Sequence, residues 1–231
     1  MNLSNVEIEK VSSQLSEQGF VYLESLGEQF NYIEFVQNFG KLSTQYDGDA
    51  IWTIQSNDKF KDVYHSMNNQ ELFPHTEYYE SQGLPPRYLA LWCVNPGNTG
   101  EGFTYLADTY PFFHSIEDDA LVEKLSRIPL RYSSTEGLKL ENHHLDAYHS
   151  ILEKSDSGDL IVRYSSRCMH TSKNKDVHNA IEDLKQHIDN NIEKIQWKKH
   201  SLLIWDNYRM VHSRSAFINA NRELKRLWIS N

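Results

Sequence analysis

The sequence predicts a mainly β domain with flanking helices, and three observations carry that prediction. Short runs rich in β-branched and aromatic residues recur between Gly, Pro and Asn turn clusters. Helical spacing is confined to the N-terminal segment and to stretches that read as insertions. No internal repeat or low-complexity tract is evident. Together these favour a β sandwich or barrel with helical decoration.

The elements follow in order. Ser4-x-x-Glu7 resembles a capping box, and Ile8, Val11 and Leu15 continue at helical spacing until Gly19 ends the helix. Phe20–Leu23 reads as a strand. A short helix is expected over residues 32–38, stopping at Gly40. Residues 50–55 (AIWTIQ) are rich in strand formers. After Pro85-Pro86, residues 87–94 (RYLALWCV) form a near-continuous apolar run, the mark of a buried strand. Residues 95–102 are a turn cluster, and 103–107 a further strand. Ser115 is taken as the N-cap of a helix over 116–127, and 176–190 as a polar helix. Residues 202–205 form a strand that ends in the turn signal Asp206-Asn207. The run 223–229 reads as the last strand.

At 231 residues the chain suits one domain, taken as 1–231. Its 39% hydrophobic and 24% charged residues are ordinary for a globular protein with a sizeable core. The formal charge of -9 argues against a general nucleic-acid binder, which needs a basic face. A small anion is still admissible, because a pocket can be locally positive on an acidic protein. The N-terminus lacks a basic segment followed by an apolar one, and no apolar run reaches the roughly 20 residues of a membrane span. Cys93 and Cys168 form no CxxC-type motif. The expectation is a reduced, cytoplasmic enzyme with two structural thiols and a small-molecule partner, with no membrane or nucleic acid; the oligomeric state is left open.

Three residues carry a metal chemistry. His75-Thr76-Glu77 places an imidazole and a carboxylate two residues apart, on one side of an extended strand. His212 lies far downstream, after a strand and a turn. Two histidines and one carboxylate form the facial triad that holds non-heme Fe(II) and leaves positions open. An isolated His-x-Glu is common by chance, and a lone His more often serves a core or a surface. His143, His144 and His149 sit in a polar stretch that reads as a solvated loop. Arg222 and Arg226, four apart in a strand-like run, share a face with Leu224 and Trp228. Arginines on an apolar face need an anion, and a guanidinium fork matches a carboxylate. A pair of surface arginines near Glu223 or Asp206 is the plainer alternative.

Two segments resemble the taurine dioxygenase and clavaminate synthase-like superfamily of Fe(II)/2-oxoglutarate-dependent oxygenases. PHTEYYESQGLPPRYLALWCVNPGNTGEGFTYLAD is similar to its first metal motif, and SLLIWDNYRMVHSRSAFINANRELKRLWIS to its second. The N-terminal LSEQGFVYLESL is similar to the family's beginning, and the resemblance is weakest between residues 115 and 195. It implies a double-stranded β-helix (jelly-roll) core, with His75, Glu77 and His212 as iron ligands and O2 and 2-oxoglutarate as co-substrates. It implies that Thr104 hydrogen-bonds the distal carboxylate of 2-oxoglutarate and that Arg222 pairs with it. Arg226 would hold the keto acid end or an anionic group of the substrate, and the roles of the two arginines are interchangeable at this point. Glu77 in place of the commoner Asp is a feature of the branch that oxidises free or tethered amino acids, and its presence argues against a halogenase. The family's polar residue before the Thr is Phe103 here.

The function this implies is oxidation, first of all hydroxylation, of a C–H bond in a small amino-acid-like substrate, free or carrier-tethered, in secondary metabolism. Desaturation or oxidative cyclisation is the alternative within the family, and a non-catalytic or cupin-type metal-binding jelly roll the alternative outside it. Tyr64, His65 and Asn68, just before the metal motif, and Tyr78 and Tyr79, just after it, are candidate substrate liners together with Arg226. Arg167 is a further candidate to face an anionic substrate.

Overall fold

The structure is a computed structural model and describes residues 5–230. Its strands are β1 (Phe20–Leu23), β2 (Lys41–Ser43), β3 (Ile51–Gln55), β4 (Leu72–His75), β5 (Tyr88–Asn95), β6 (Thr104–Asp108) and β7 (Leu130–Ser133). Then come β8 (Asp146–His149), β9 (Leu152–Lys154), β10 (Leu160–Val162), β11 (Glu193–Ile195), β12 (Leu202–Asp206), β13 (Met210–Arg214) and β14 (Glu223–Ser230). The helices are α1 (Asn5–Gln18), α2 (Tyr32–Val36), α3 (Tyr110–His114), α4 (Asp119–Arg127), α5 (Glu136–Leu140) and α6 (Lys175–Asn190).

Two antiparallel sheets face each other. The major one runs β1-β12-β5-β14-β2, with β3 also on β14; the minor one runs β11-β6-β13-β4. Successive strands switch sheets (β5 to β6, β12 to β13 to β14), which is the winding of a jelly roll and agrees with the expected double-stranded β-helix.

The period of two explains which side chains meet. On β5, Leu89, Leu91 and Cys93 point between the sheets and pack with Leu106, Met210, Leu224 and Trp228. Ala90 and Trp92 point the other way and are covered by Val11 and Leu15 of α1 and Phe35 and Val36 of α2. Both faces of β5 are therefore buried, which is why its sequence shows no polar alternation. The outer face of the minor sheet is covered by the long insertion between β6 and β11, where Val177, Ala180, Ile181, Leu184 and Ile188 of α6 meet Ala107 and Val211.

Most expected elements form within a residue or two. Three local readings are corrected. Ser115 is not a helix N-cap: it ends α3, and its hydroxyl donates to the Phe112 carbonyl. Asp118 caps α4 instead, because its carboxylate accepts from the free Ala120 and Leu121 amides at the positive helix end. The helix read as polar is amphipathic. The supposed solvated loop contains a strand, β8, on which His149 is buried with Nε2 2.9 Å from the Ser81 carbonyl. Ser4 of the expected capping box lies outside the described residues. Among the described residues no helix is long and apolar enough to cross a membrane.

Candidate metal centre and its two chambers

On β13 the even residues Met210, His212 and Arg214 face the interior between the sheets, and on β14 so do Leu224, Arg226 and Trp228. β4 lies beside β13 with His75 directly opposite His212. Cross-strand register thus removes the long sequence separation, and the two rings stand 4.1 Å apart between centroids. His75 Nδ1 lies 2.8 Å from the Phe73 carbonyl. A carbonyl only accepts, so Nδ1 carries the proton and Nε2 keeps its lone pair for a ligand.

Glu77 is not on the strand, as its spacing from His75 suggests, but in the turn that follows β4. Asn207 holds it there. The Glu77 amide donates to Asn207 Oδ1 at 2.7 Å, and Asn207 Nδ2 donates to the carbonyls of Glu77 and Pro86. Tyr78 then adopts φ +70°, which turns the chain sharply away. A ligand atom each from His75, Glu77 and His212 lies within 4.8 Å of the others. No other such group of three or more potential ligands occurs among the described residues, so His143, His144 and His149 form no second centre.

The electrostatics suit a cation. Burial is the main cause that lowers the pKa of His75, and it holds that of His212 far down, with His75 and Arg226 adding to the effect. Both rings are therefore neutral at pH 7 and carry lone pairs, the state a metal needs. His212 Nδ1 is buried with no partner. Arg226 Nη1 lies 3.0 Å from both Glu77 oxygens, and its Nε donates to Gln45 Oε1.

Two chambers flank this centre and share Ser66, Leu72, His75 and Arg226. The inner one is lined by Thr104, Trp205, His212, Arg214, Arg222 and Leu224. Arg222 is 1% exposed, and its one hydrogen bond runs from Nη2 to the Gly102 carbonyl at 3.0 Å. Its Nε and Nη1 are buried without a partner, so most of its five N–H donors are unmet. Burial lowers its pKa to about 10, and it remains a cation. Gly102, at φ +64°, gives it room: a Cβ there would stand 2.7 Å from Arg222 Nε. Thr104 Oγ1 accepts from Trp197 Nε1 at 3.0 Å. Arg214, by contrast, is spent on the Ser66, Asn68 and Gln70 carbonyls and on Asn68 Oδ1.

The outer chamber is lined by Tyr46, Trp52, Tyr64, His65, Tyr79 and Glu80, with Glu77 at its inner end. Tyr64, His65, Tyr79 and Arg226 therefore stand where the sequence suggested. Asn68 does not. Its Nδ2 donates to the Val63 carbonyl and its Oδ1 accepts from Gln70 and Arg214, so its polar atoms shape the loop. Tyr78 lines neither chamber and packs edge-on against Trp228 at 5.5 Å. Arg167 is half exposed, lies 3.9 Å from Glu136 and borders a separate surface groove. Sequence reasoning missed Asn207, Gln45, Trp197, Tyr46 and Glu80. For Arg214 a signal existed: it is two residues from His212, hence on the same face.

A jelly roll that joins two neutral histidines and a carboxylate beside a buried, unpaired arginine is the framework of an Fe(II)/2-oxoglutarate-dependent oxygenase. The chain belongs to the Taurine catabolism dioxygenase TauD, TfdA family, whose model matches residues 1–228. A search of curated protein sequences finds no significant match. Among solved structures, asparagine oxygenase in complex with Fe(II), 2S,3S-3-hydroxyasparagine and succinate is similar at a TM-score of 0.78 and 15% identity, over 98% of this chain and 80% of that one. The non-heme iron oxygenase OrfP, in complex with Fe, succinate and (3S)-hydroxy-L-Arg, gives 0.74 and 15%, over 99% and 82%. PvcB, an oxygenase from an isonitrile synthetic pathway, gives 0.65 and 17%, over 96% and 79%.

Proposed function

We propose that this protein uses Fe(II), 2-oxoglutarate and O2 to hydroxylate a C–H bond in a small amino-acid-like substrate. The observation that carries the reading is the buried Arg222, with unmet donors, in a chamber that opens on the His75–Glu77–His212 group. Two neutral imidazoles and one carboxylate fit Fe(II), and a cationic chamber fits a dicarboxylate. When bound, the metal and its co-substrate supply oxygen activation coupled to decarboxylation.

The chain's own residues do the rest. His75, Glu77 and His212 hold the metal. Arg222 and Thr104 receive the distal carboxylate: the free guanidinium donors supply charge, and the Thr104 hydroxyl is oriented by Trp197. Arg226 stands on Glu77, at the metal end, and so takes the other role left open by the sequence, near the keto acid or an anionic group of the substrate. The aromatic walls of the outer chamber exclude water from the reacting C–H bond. The amino-acid class is supported by Glu77 in place of Asp and by the hydroxylated amino acids held in the similar structures.

The test is anaerobic addition of Fe(II) and 2-oxoglutarate. A metal-to-ligand charge-transfer band is expected; no band, with iron shown to be bound, sinks the reading. Screening amino acids for stimulated succinate formation, with substrate oxidation measured in parallel, then identifies the substrate.

A further inference from the structure

The outer chamber contains a carboxylate that the metal chemistry does not use. Glu80 is 2% exposed and lines the chamber three residues after Glu77. Its Oε1 accepts from the Tyr46 hydroxyl, and its Oε2 is buried with no partner. A buried carboxylate oxygen without a donor is costly unless something supplies one. Burial, aided by the nearby Glu77 charge and opposed by the Tyr46 hydrogen bond, pushes the Glu80 pKa up to about 7.

The group is fixed in place rather than mobile. Arg163 Nη1 donates to the Tyr78 carbonyl at 3.0 Å, and Nη2 to the Gly83 carbonyl. His149 Nε2 meets the Ser81 carbonyl, and Glu153 ties Arg163 to His149. Backbone on both sides of Glu80 is therefore clamped by the insertion. Tyr46 is itself wedged edge-on against Trp52 at 5.9 Å and Trp228 at 5.2 Å. Trp52 and Tyr64 add aromatic rings to the same chamber, and each already stands near a guanidinium, Arg226 at 5.6 Å and Arg167 at 5.7 Å from the ring centre. His65 in the same wall carries no competing charge at neutral pH, since burial pushes its pKa down to about 3.

We propose that Glu80, oriented by Tyr46, is the anchor for a protonated nitrogen of the substrate, so that the substrate is an ammonium- or guanidinium-bearing molecule. The assignment rests on the oxygenase reading above. It gives the outer chamber two charged groups of opposite sign: Arg226, beside Glu77, for an anion, and Glu80 for a cation. The nitrogen is either the α-amine or a side-chain group of an amino acid, and the experiment separates these sources.

Wild-type enzyme is loaded anaerobically with Fe(II) and 2-oxoglutarate. The perturbation of its charge-transfer band is titrated with the twenty protein L-amino acids and their Nα-acetyl forms. Absence of the band in wild type, with iron shown to be bound, defeats the oxygenase reading itself; everything that follows presupposes the band and judges Glu80 alone. Expected is binding by at least one amine-bearing probe and a loss of about thirtyfold or more in Glu80→Gln. If Nα-acetylation weakens wild-type binding and Glu80→Gln abolishes that preference, the anchored nitrogen is the α-amine. If both forms of a basic amino acid lose affinity in Glu80→Gln while both forms of its neutral analogues do not, it is the side-chain nitrogen. A structural role for Glu80 would shift all probes alike, and that result overturns the assignment. So does a wild-type enzyme that binds no amine-bearing probe, or one whose amine binding survives Glu80→Gln within threefold. Tyr46→Phe keeps the carboxylate and its surroundings, and the same preference is expected to weaken in it; an unchanged preference removes Tyr46 from the assignment.

Discussion

The two chambers that meet at the metal centre are built from opposite materials. The inner one is walled mainly by sheet residues whose direction is set by strand alternation, and its unmatched positive charge is that of Arg222, just before β14. The outer one is walled mainly by loops and by α5 of the insertion, carries the aromatic rings of Tyr46, Trp52, Tyr64 and Tyr79, and includes the carboxylate of Glu80. A fixed co-substrate suits the rigid side, and a variable substrate suits the side made of connections. The contrast also shows where unpaired charge is tolerated. Arg222 is left with Nε and Nη1 short of acceptors, while the buried Arg214 has both terminal nitrogens bonded and only its Nε unmet.

The largest break comes from the residues between the chambers. His212→Ala is expected to lower turnover by more than about 100-fold, above the usual cost of losing a group behind a ligand, and to cut iron retention measured by metal analysis. Next is Arg222→Met, which separates stability from binding. Affinity for 2-oxoglutarate should fall about 100-fold, since a charged partner is removed from a buried pair. The melting temperature without co-substrate should hold or rise, because a buried unpaired cation is replaced by an apolar side chain. A marked fall in melting temperature would mean that Arg222 serves packing rather than binding.

Asn207→Ala tests whether the ligand turn must be pinned. Losing three hydrogen bonds should cost about 2–4 kcal/mol in denaturant unfolding and about tenfold in iron affinity. Gly102→Ala acts on the inner wall alone: it strains a φ of +64° and crowds Arg222. It should cost about 1–2 kcal/mol and raise the KM for 2-oxoglutarate more than that for substrate.

The smallest functional effect is in the outer wall, where His65 is held neutral. Folded His65 takes a proton only near pH 3, whereas the unfolded chain does so near pH 6.5. Between these values the unfolded state binds more protons, so stability rises with pH, and it falls as the solution is acidified below 6.5. His65→Asn should reduce this slope by up to about 1.4 kcal/mol per pH unit over pH 4–6, measured by denaturant unfolding. An unchanged slope would mean that His65 is hydrated.

What was legible in the sequence divides along the same line. The inner wall could be read because alternation places Leu224, Arg226 and Trp228 on one face, with Arg222 just before the strand, and because two separated motifs, one of them carrying His212, fixed the family. Which arginine lies at the metal could not be read, since it depends on the bulge at the start of β14 and on Arg226 reaching Glu77. The outer wall was half legible. Tyr64, His65 and Tyr79 were found by nearness to the motif, but the same nearness wrongly included Asn68 and Tyr78. Their direction is set by a loop hydrogen bond to Arg214 and by a positive φ, neither of which has a period. Tyr46 and Glu80 escaped because their pairing joins two loops, and no local pattern records such a contact.

Asn207 has a consequence for how such an enzyme can change. One side chain closes the base of the segment between Glu77 and Pro86, while the rest of the segment is held by the insertion and by Tyr46. The segment is thus a cassette with a fixed socket. Its interior, with Glu80, can be rewritten together with the insertion that grips it, while the metal-binding end keeps its place. Substrate preference is free to diverge on a frame whose oxygen chemistry stays constant.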